Sequence, residues 1–492
     1  MEVALNLDPL SPIALYRQIY DGLRDGIIGE RFEGGTRLPA SRAFAASLGV
    51  SRITVTECYE RLISEGYLET RRGSGTFVCS RLPERDLYAS GITAEAPPQL
   101  HADVPMRLSR YGEIVNAPIR PPTPPEIIRC DRHGPDVSLF PNKLWARLWA
   151  RRMQEGAENL LQYTQEYSGN NDLRVAIAQY LRKSRAVVCD PSQVIITSGS
   201  QQAIYLTARI FLDPSDYVAL ETPGYLFAGR IFASQSAKLL PIPVDRHGMQ
   251  VSQLKKHREK SVKLVYITPS HQYPRGVSLS ISRRMELLDW AKDTGTLIFE
   301  DDYDSEYRYN ERPLPSIQGM VPDAPVLYVG TFSKLLFPTL RLGYLVVPPA
   351  LHNVFTGAKL LCDFQSSSID QRILADFMAE GHLEPHVRKM RIIYGNRRAL
   401  LAESLQKHFG RKVTILGDHA GMHFLADFQI NLSEEDAFAR ALAAGVRVER
   451  VYWPAGSSVQ RPGHVQFVFA FASLSENNIL LATERLAQAL LV

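Results

Sequence analysis

Between about residues 194 and 348 the chain repeats one pattern: a short apolar run rich in β-branched residues, a polar turn, then an amphipathic stretch. The runs are "VIITSG", "YVALETPGY", "KLVYITPS", "TLIFEDDYD", "VLYVGTF" and "GYLVVP". Between them lie stretches such as "QQAIYLTARIFL" and "SRRMELLDWAKDTG", whose apolar residues recur at helical spacing. Strands alternating with helices predict an α/β body on a mostly parallel sheet flanked by helices. In such sheets ligands bind beyond the carboxyl ends of the strands.

This pattern leaves much of the 492 residues uncovered, and that length exceeds one ordinary domain. From 81 to 125 the periodicity dissolves and nine prolines occur, ending in "RPPTPPE". Proline removes backbone donors and disfavours helix, so 81–125 reads as an extended, semi-stiff linker. It separates a head, 1–80, from a large domain, 126–350. Beyond 351 the pattern turns helical and ends in a few strands and a last helix, a smaller α+β domain over 351–492. Hydrophobic content of 45% and charged content of 22% fit a soluble globular chain. Five scattered cysteines without a CxxC pair argue against a disulfide framework or a metal site and fit a reducing cytosol. The start lacks a signal-peptide pattern, and no apolar run approaches a membrane span, so a cytoplasmic chain without a membrane partner is expected.

In the head, Leu15, Ile19, Leu23 and Ile27 fall four apart, one face of a helix. "PASRAFAASLG" reads as a short helix stopping at Gly49, and Ser51 can cap another from about 52 to 65. "GYLETRRGSGTFV" then reads as a hairpin with a Gly-rich tip. Two helices across a tight turn plus a hairpin make a winged helix-turn-helix, whose partner is double-stranded promoter DNA. Ser51, Arg52, Thr54 and Thr56 offer donors to base edges and phosphates. Arg37 and Arg42 can reach phosphate, and Arg72, Gly73, Ser74 and Gly75 allow a close approach of the wing tip. Against this, residues 1–80 hold nine arginines and ten acidic residues, so the head is not basic overall. Amphipathic helix pairs also serve as protein-interaction modules.

The body carries a second chemistry. "TSGSQQAI" places Gly199, Ser200 and Gln201 between a strand and a helix, where free backbone N–H groups can cradle phosphate, although such turns also occur without a ligand. "LIFEDDYDSEYRY" ends a strand in Glu300, Asp301, Asp302 and Asp304, a constellation that also suits a solvated turn or a divalent metal. "GTFSKLLFPTLRLGYLV" supplies Thr331, Ser333, Lys334 and Arg341: hydroxyls, an amine and a cation able to bind phosphate bidentately. Together they suit a phosphorylated ring with an amine-reactive carbonyl, the needs of pyridoxal phosphate (PLP).

The segment "TRLPASRAFAASLGVSRITVTECYERLISEGYLETRRGSGTFV" resembles the GntR-type winged helix. The body resembles fold type I PLP-dependent aminotransferases through "EYSGNNDLRVAIAQYL", "VIITSGSQQAI", "LETPGY", "TPSHQYPRG", "EDDYDSEYRY" and "GTFSKLLFPTLRLGYLV", in that order. The fusion resembles the MocR subfamily of bacterial transcription regulators. The resemblance implies that Lys334 forms the internal aldimine and Asp301 holds the ring nitrogen protonated. It implies that Tyr303 bonds the ring's phenolic oxygen and Tyr225 stacks on the ring. Gly199, Ser200, Gln201, Thr331, Ser333 and Arg341 are implied to hold the phosphate. It also implies a head-to-tail homodimer in which Tyr163 or Tyr167 reaches the partner's cofactor.

One departure matters. The family resembles itself near the C-terminus in a strand like L-R-x-G-F-A, whose arginine binds a substrate α-carboxylate. The matching stretch here is "FVFAFAS", which puts Val468 at the arginine position, with Arg461 the only nearby arginine. The expected function is therefore a PLP-dependent DNA-binding regulator that senses PLP or an amine lacking that carboxylate. A working aminotransferase with an appended docking module is the alternative, and Val468 counts against it. A GntR-type repressor whose body binds something other than PLP is the third reading.

Overall fold

The computed structural model describes the chain except residues 1–4, 6, 10, 72, 81, 83–106, 117–122, 310–313, 454–462 and 492. It divides into two compact units, residues 1–106 and 107–492.

In the first unit, helix Leu15–Ile28 buries Ile19, Leu23 and Ile27, with Leu15 half-buried at its start. They pack with Phe44, Val55, Cys58 and Leu62 from the next two helices. Helix Ser41–Leu48 ends at Gly49, whose φ of 67° is the left-handed region that glycine adopts without a Cβ penalty. Ser51 Oγ accepts from Thr54 N at 3.2 Å and starts helix Arg52–Ser64. A cap of this kind contributes about 1 kcal/mol. Strands Leu68–Arg71 and Gly75–Val78 pair antiparallel in register Arg71↔Gly75, the hairpin that the sequence predicts.

The second unit is built on an eight-stranded sheet. Its order is Val194–Thr197, Gly343–Val346, Val326–Thr331, Leu297–Asp302, Val262–Ile267, Tyr217–Thr222, Lys238–Asp245 and Gly248–Met249. Five central strands run parallel, and Gly343–Val346 runs against both its neighbours. Successive strand residues point to opposite faces, and both faces here are covered. Leu264, Phe299 and Leu327 join one core cluster, while Val265, Ile298 and Val326 join another. Burial on both faces explains why the runs read as continuous apolar stretches rather than alternating ones.

Beyond the sheet lie helices Ser368–Ala379 and Leu383–Phe409, then an antiparallel sheet ordered Val413–Leu416, His423–Gln429, His464–Ala470, Glu449–Arg450. Helix Glu476–Leu490 closes the chain. Strand Ile128–Arg129 pairs with Val446–Arg447, tying the start of the body to this last part. Within the stretch read as linker, Arg110–Val115 forms a short helix capped by Ser109 Oγ, which accepts from Gly112 N at 3.1 Å. The prolines on either side conceal that helix from a composition-based reading. Among the described residues, no helix is long and apolar enough to cross a membrane.

Candidate functional site

The polar turns that follow the parallel strands gather around one cavity of about 340 Å³. Its lining includes Ser200, Tyr225, Thr268, Tyr273, Asp301, Tyr303, Thr331 and Lys334 from the large sheet's loops. Arg129, Asp131, His133 and Glu449 complete its wall.

The period of two along Leu297–Asp302 sorts the acidic cluster. Glu300 turns to one face and accepts from the backbone N–H groups of Ile317 at 2.8 Å and Gln318 at 3.0 Å. Asp302, on the same face, takes Arg185 Nε at 2.6 Å and the Tyr328 hydroxyl at 2.5 Å. Asp301 alone of the three turns to the cavity. It is 4% exposed, its Oδ2 accepts from the Tyr266 hydroxyl at 2.7 Å, and its Oδ1 is buried with no hydrogen-bond partner. Burial pushes its carboxyl up to about 7 against the pull of Tyr266. A cationic ring N–H is the kind of donor that buried oxygen lacks.

Lys334 sits just past strand Val326–Thr331, and its ammonium donates to the carbonyl of His133. Burial lowers its pKa, and Asp304, Glu449 and Asp301 oppose the shift. A lowered pKa enlarges the neutral, nucleophilic fraction of the amine.

A phosphate cup lies at the opposite strand end. Helix Ser200–Phe211 has no side-chain cap at Gly199, so its first N–H groups point outward unclaimed by a cap. Arg341 Nη2 donates to Ser198 O at 2.8 Å. A Cβ on Gly199, whose φ is 89°, would lie 3.0 Å from that same nitrogen, so glycine is what lets the guanidinium close over the turn. Ser333 Oγ is buried without a partner, and Thr331 Oγ1 accepts from Ser333 N at 3.2 Å. These orphaned oxygens, the open helix end and the nearby guanidinium fit a phosphate, and with Asp301 and Lys334 they fit PLP.

Of the residues singled out from sequence, Ser200, Tyr225, Asp301, Tyr303, Thr331 and Lys334 line the cavity directly. Gly199, Ser333 and Arg341 flank it, and Gln201 reaches the Tyr225 hydroxyl at 3.5 Å. The Tyr303 hydroxyl donates to His271 O at 2.9 Å. Tyr163 and Tyr167 both stand against Phe364, with ring centroids 5.2 and 5.8 Å away.

Sequence reasoning missed the histidines. His271 Nδ1 lies 3.1 Å from both Asp304 oxygens, and His423 stacks beside it at 4.7 Å between centroids. Burial holds His423 well below its usual pKa, and His271, His133 and Lys334 push the same way. His271 and Asp304 stand inside quoted motifs. His133, His423 and Glu449 come from distant elements with no local signature.

In the head, Ser51, Arg52, Arg37, Arg42, Gly73, Ser74 and Gly75 are all exposed. Arg37 packs its guanidinium against Gly75 at the wing and pairs with Phe77 as a β-bridge. Thr54 shares its hydroxyl with Ser51 at 2.8 Å, and Thr56 donates to Arg52 O at 2.9 Å, so both hydroxyls also brace the helix start. Arg72 and Arg461 lie outside the described residues. Ile53, 70% exposed beside Arg52, is an apolar group that the search for donors passed over.

Residues 15–78 match the model of the bacterial regulatory proteins, gntR family, and residues 140–486 match that of aminotransferase class I and II. The chain is 37% identical over 442 residues to the probable rhizopine catabolism regulatory protein MocR of Rhizobium meliloti, spanning 90% of this chain and 87% of that one. It is 30% identical over 404 residues to the HTH-type pyridoxine biosynthesis transcriptional regulator PdxR of Corynebacterium glutamicum, spanning 82% of each. Among solved structures it matches the kynurenine aminotransferase of Pyrococcus horikoshii, with a TM-score of 0.68 and 28% identity over 78% of this chain and 95% of that one. The class is thus a winged-helix head joined to an aminotransferase body. The chain belongs to the MocR-type GntR regulators, PLP-dependent DNA-binding proteins of transcription.

Proposed function

We propose that the body is the input of this regulator and the head its output: PLP or an amine bound at Lys334 alters how paired heads hold promoter DNA. The observation that carries this reading is one cavity holding both Lys334, its amine favoured neutral by burial, and Asp301, with its unpartnered Oδ1.

The cofactor, when bound, supplies an aldehyde that traps amines. The chain's own residues do the rest. Lys334 presents its amine, and Asp301 Oδ1 accepts the proton of the ring nitrogen. Tyr225 covers the ring and Tyr303 reaches its phenolic oxygen. Ser200, Gln201, Thr331, Ser333, Arg341 and the N–H groups after Gly199 hold the phosphate. A ligand changes DNA binding only by preferring one arrangement of the protein over another.

Exposed apolar side chains favour a homodimer: Leu361 is 90% exposed and Tyr163 84%, beside exposed Phe364. A head-to-tail pairing would bring two heads to one operator and carry Tyr163 or Tyr167 toward the partner subunit's cofactor. In the head, Arg52 and Ser51 read base edges, Ile53 meets a thymine methyl, and Arg37, Arg42 and the wing hold phosphates. DNA binding sets the compartment: the protein works where the chromosome is.

The test uses the purified full chain. The expected result is a visible absorbance band from bound PLP, together with anisotropy-detected binding to DNA from the protein's own upstream region at fixed salt. A colourless protein that takes up no PLP overturns the input. Turnover with a keto-acid acceptor and no DNA binding replaces the reading with an aminotransferase.

A further inference from the structure

The wall of the cavity opposite the phosphate cup has the wrong charge for a carboxylate. Val468, at the place of the family's carboxylate-binding arginine, is fully buried against Leu425 and Val451. Its register partners are Leu425 on one neighbouring strand and Glu449 on the other. Directly opposed residues share a face of a sheet, so the cross-strand neighbour of the missing arginine is an acid, and that acid lines the cavity. Glu449 is fixed there by a hydrogen bond to the His133 ring, and the backbone carbonyl of the same His133 receives the Lys334 ammonium. The carboxylate is thus one residue removed from the reactive amine.

Besides Lys334, the one lysine or arginine among the described lining residues is Arg129. Its fork is engaged by Asp131, with Nε donating to Oδ1 at 2.7 Å and Nη2 to Oδ2 at 3.2 Å. Arg447 Nε also bonds Asp131, at 3.0 Å. A ligand carboxylate at this wall would face Glu449 and would have to displace Asp131 from Arg129. A ligand ammonium or hydroxyl would find an acceptor already oriented.

We propose that the body's ligand is a primary amine without a carboxylate, whose far end donates a hydrogen bond, from a second ammonium or a hydroxyl, to Glu449. This rests on the PLP reading above. In the exchange, the ligand nitrogen forms the C–N bond to the cofactor's aldehyde carbon and the bond to Lys334 nitrogen breaks. Two protons pass from the ligand nitrogen to Lys334, which leaves as the free amine, and no oxidant or reductant is needed.

The experiment titrates the PLP-loaded full chain, followed by its visible spectrum, with four amines of similar length: a diaminobutane, an aminobutanol, an aminobutanoate and the α-amino acid norvaline. The diamine or the amino alcohol should half-saturate the spectral change at a concentration about tenfold or more below either carboxylate. Whichever of the two wins identifies the donor as ammonium or hydroxyl. Glu449→Gln should keep the starting spectrum and erase most of that advantage, and Val468→Arg should shift preference toward norvaline. If Val468→Arg does not fold, the isosteric Glu449→Gln still decides. Carboxylates binding as tightly as the donors, or an unchanged ranking in Glu449→Gln, overturns the proposal. Loss of carboxylate binding in Arg129→Ala would then name Arg129 as the clamp. Absence of any band before an amine is added overturns the PLP reading, and this inference with it.

Discussion

Ser51, Arg52 and Arg42 stand exposed at one end of the head's helices, whereas Asp301, Asp302 and Asp304 in the body are buried among their partners. The head spends little desolvation on its donors, so its grip on DNA is set by how many phosphates it meets and by the salt around them. The body holds unneutralised polar atoms in its interior, Asp301 Oδ1 and Ser333 Oγ among them. Such atoms cost free energy until a ligand satisfies them, which gives a small molecule strong leverage there. One region is built to be reversible, the other to be completed by what it binds.

The sharpest break of this contrast is Lys334→Ala. It should abolish the visible band of bound PLP while leaving the thermal midpoint within a few degrees, and an unchanged band would remove Lys334 from its role. Next in size is a pH effect confined to the body. Glu221, Glu300 and Asp301 are each pushed by burial up to about 7 from model values of 4.5, 4.5 and 3.8. Between the unfolded and folded values the folded state keeps protons that the unfolded chain has released. Stability of the PLP-free protein should therefore fall as pH rises from about 4.5 to 7 and then level, by a few kcal/mol in total. Asp301→Asn should make that fall shallower. A midpoint that rises over this range in scanning calorimetry contradicts it.

Arg341→Ala should weaken PLP binding by about 2 kcal/mol, seen in equilibrium dialysis, without touching DNA binding by the PLP-free protein. Arg52→Ala should do the reverse, costing about 1–2 kcal/mol in DNA affinity with the PLP spectrum intact. If either variant damages both functions in the uncoupled assays, the division between input and output is wrong. The smallest effect is expected for Ile53→Ser, under about 1 kcal/mol, and only on sequences with thymine beneath it.

The same contrast decides what can be read from sequence. The head is legible because its signals are local: Gly49 stops one helix, Ser51 caps the next, and the hairpin tip is spelled in glycines. In the body, Asp301 is legible because it sits at a strand end, where period two separates it from Glu300 and Asp302. Lys334 and Arg341 share one short segment. His133, His423 and Glu449 escape because three distant elements must fold before they meet. Glu449 gains meaning only through a cross-strand register with Val468 that no single segment contains. The helix Arg110–Val115 is hidden for the opposite reason, a local signal drowned by neighbouring prolines.

The central claim is that ligand state in the body reaches the DNA through the head. The most direct measurement is the DNA dissociation constant of the full chain with and without PLP, in wild type and Lys334→Ala, at one salt concentration. The account predicts that PLP changes the wild-type value and leaves the variant's alone, with both proteins binding DNA. Equal affinities in wild type with and without PLP, or an equal PLP response in the variant, would contradict it.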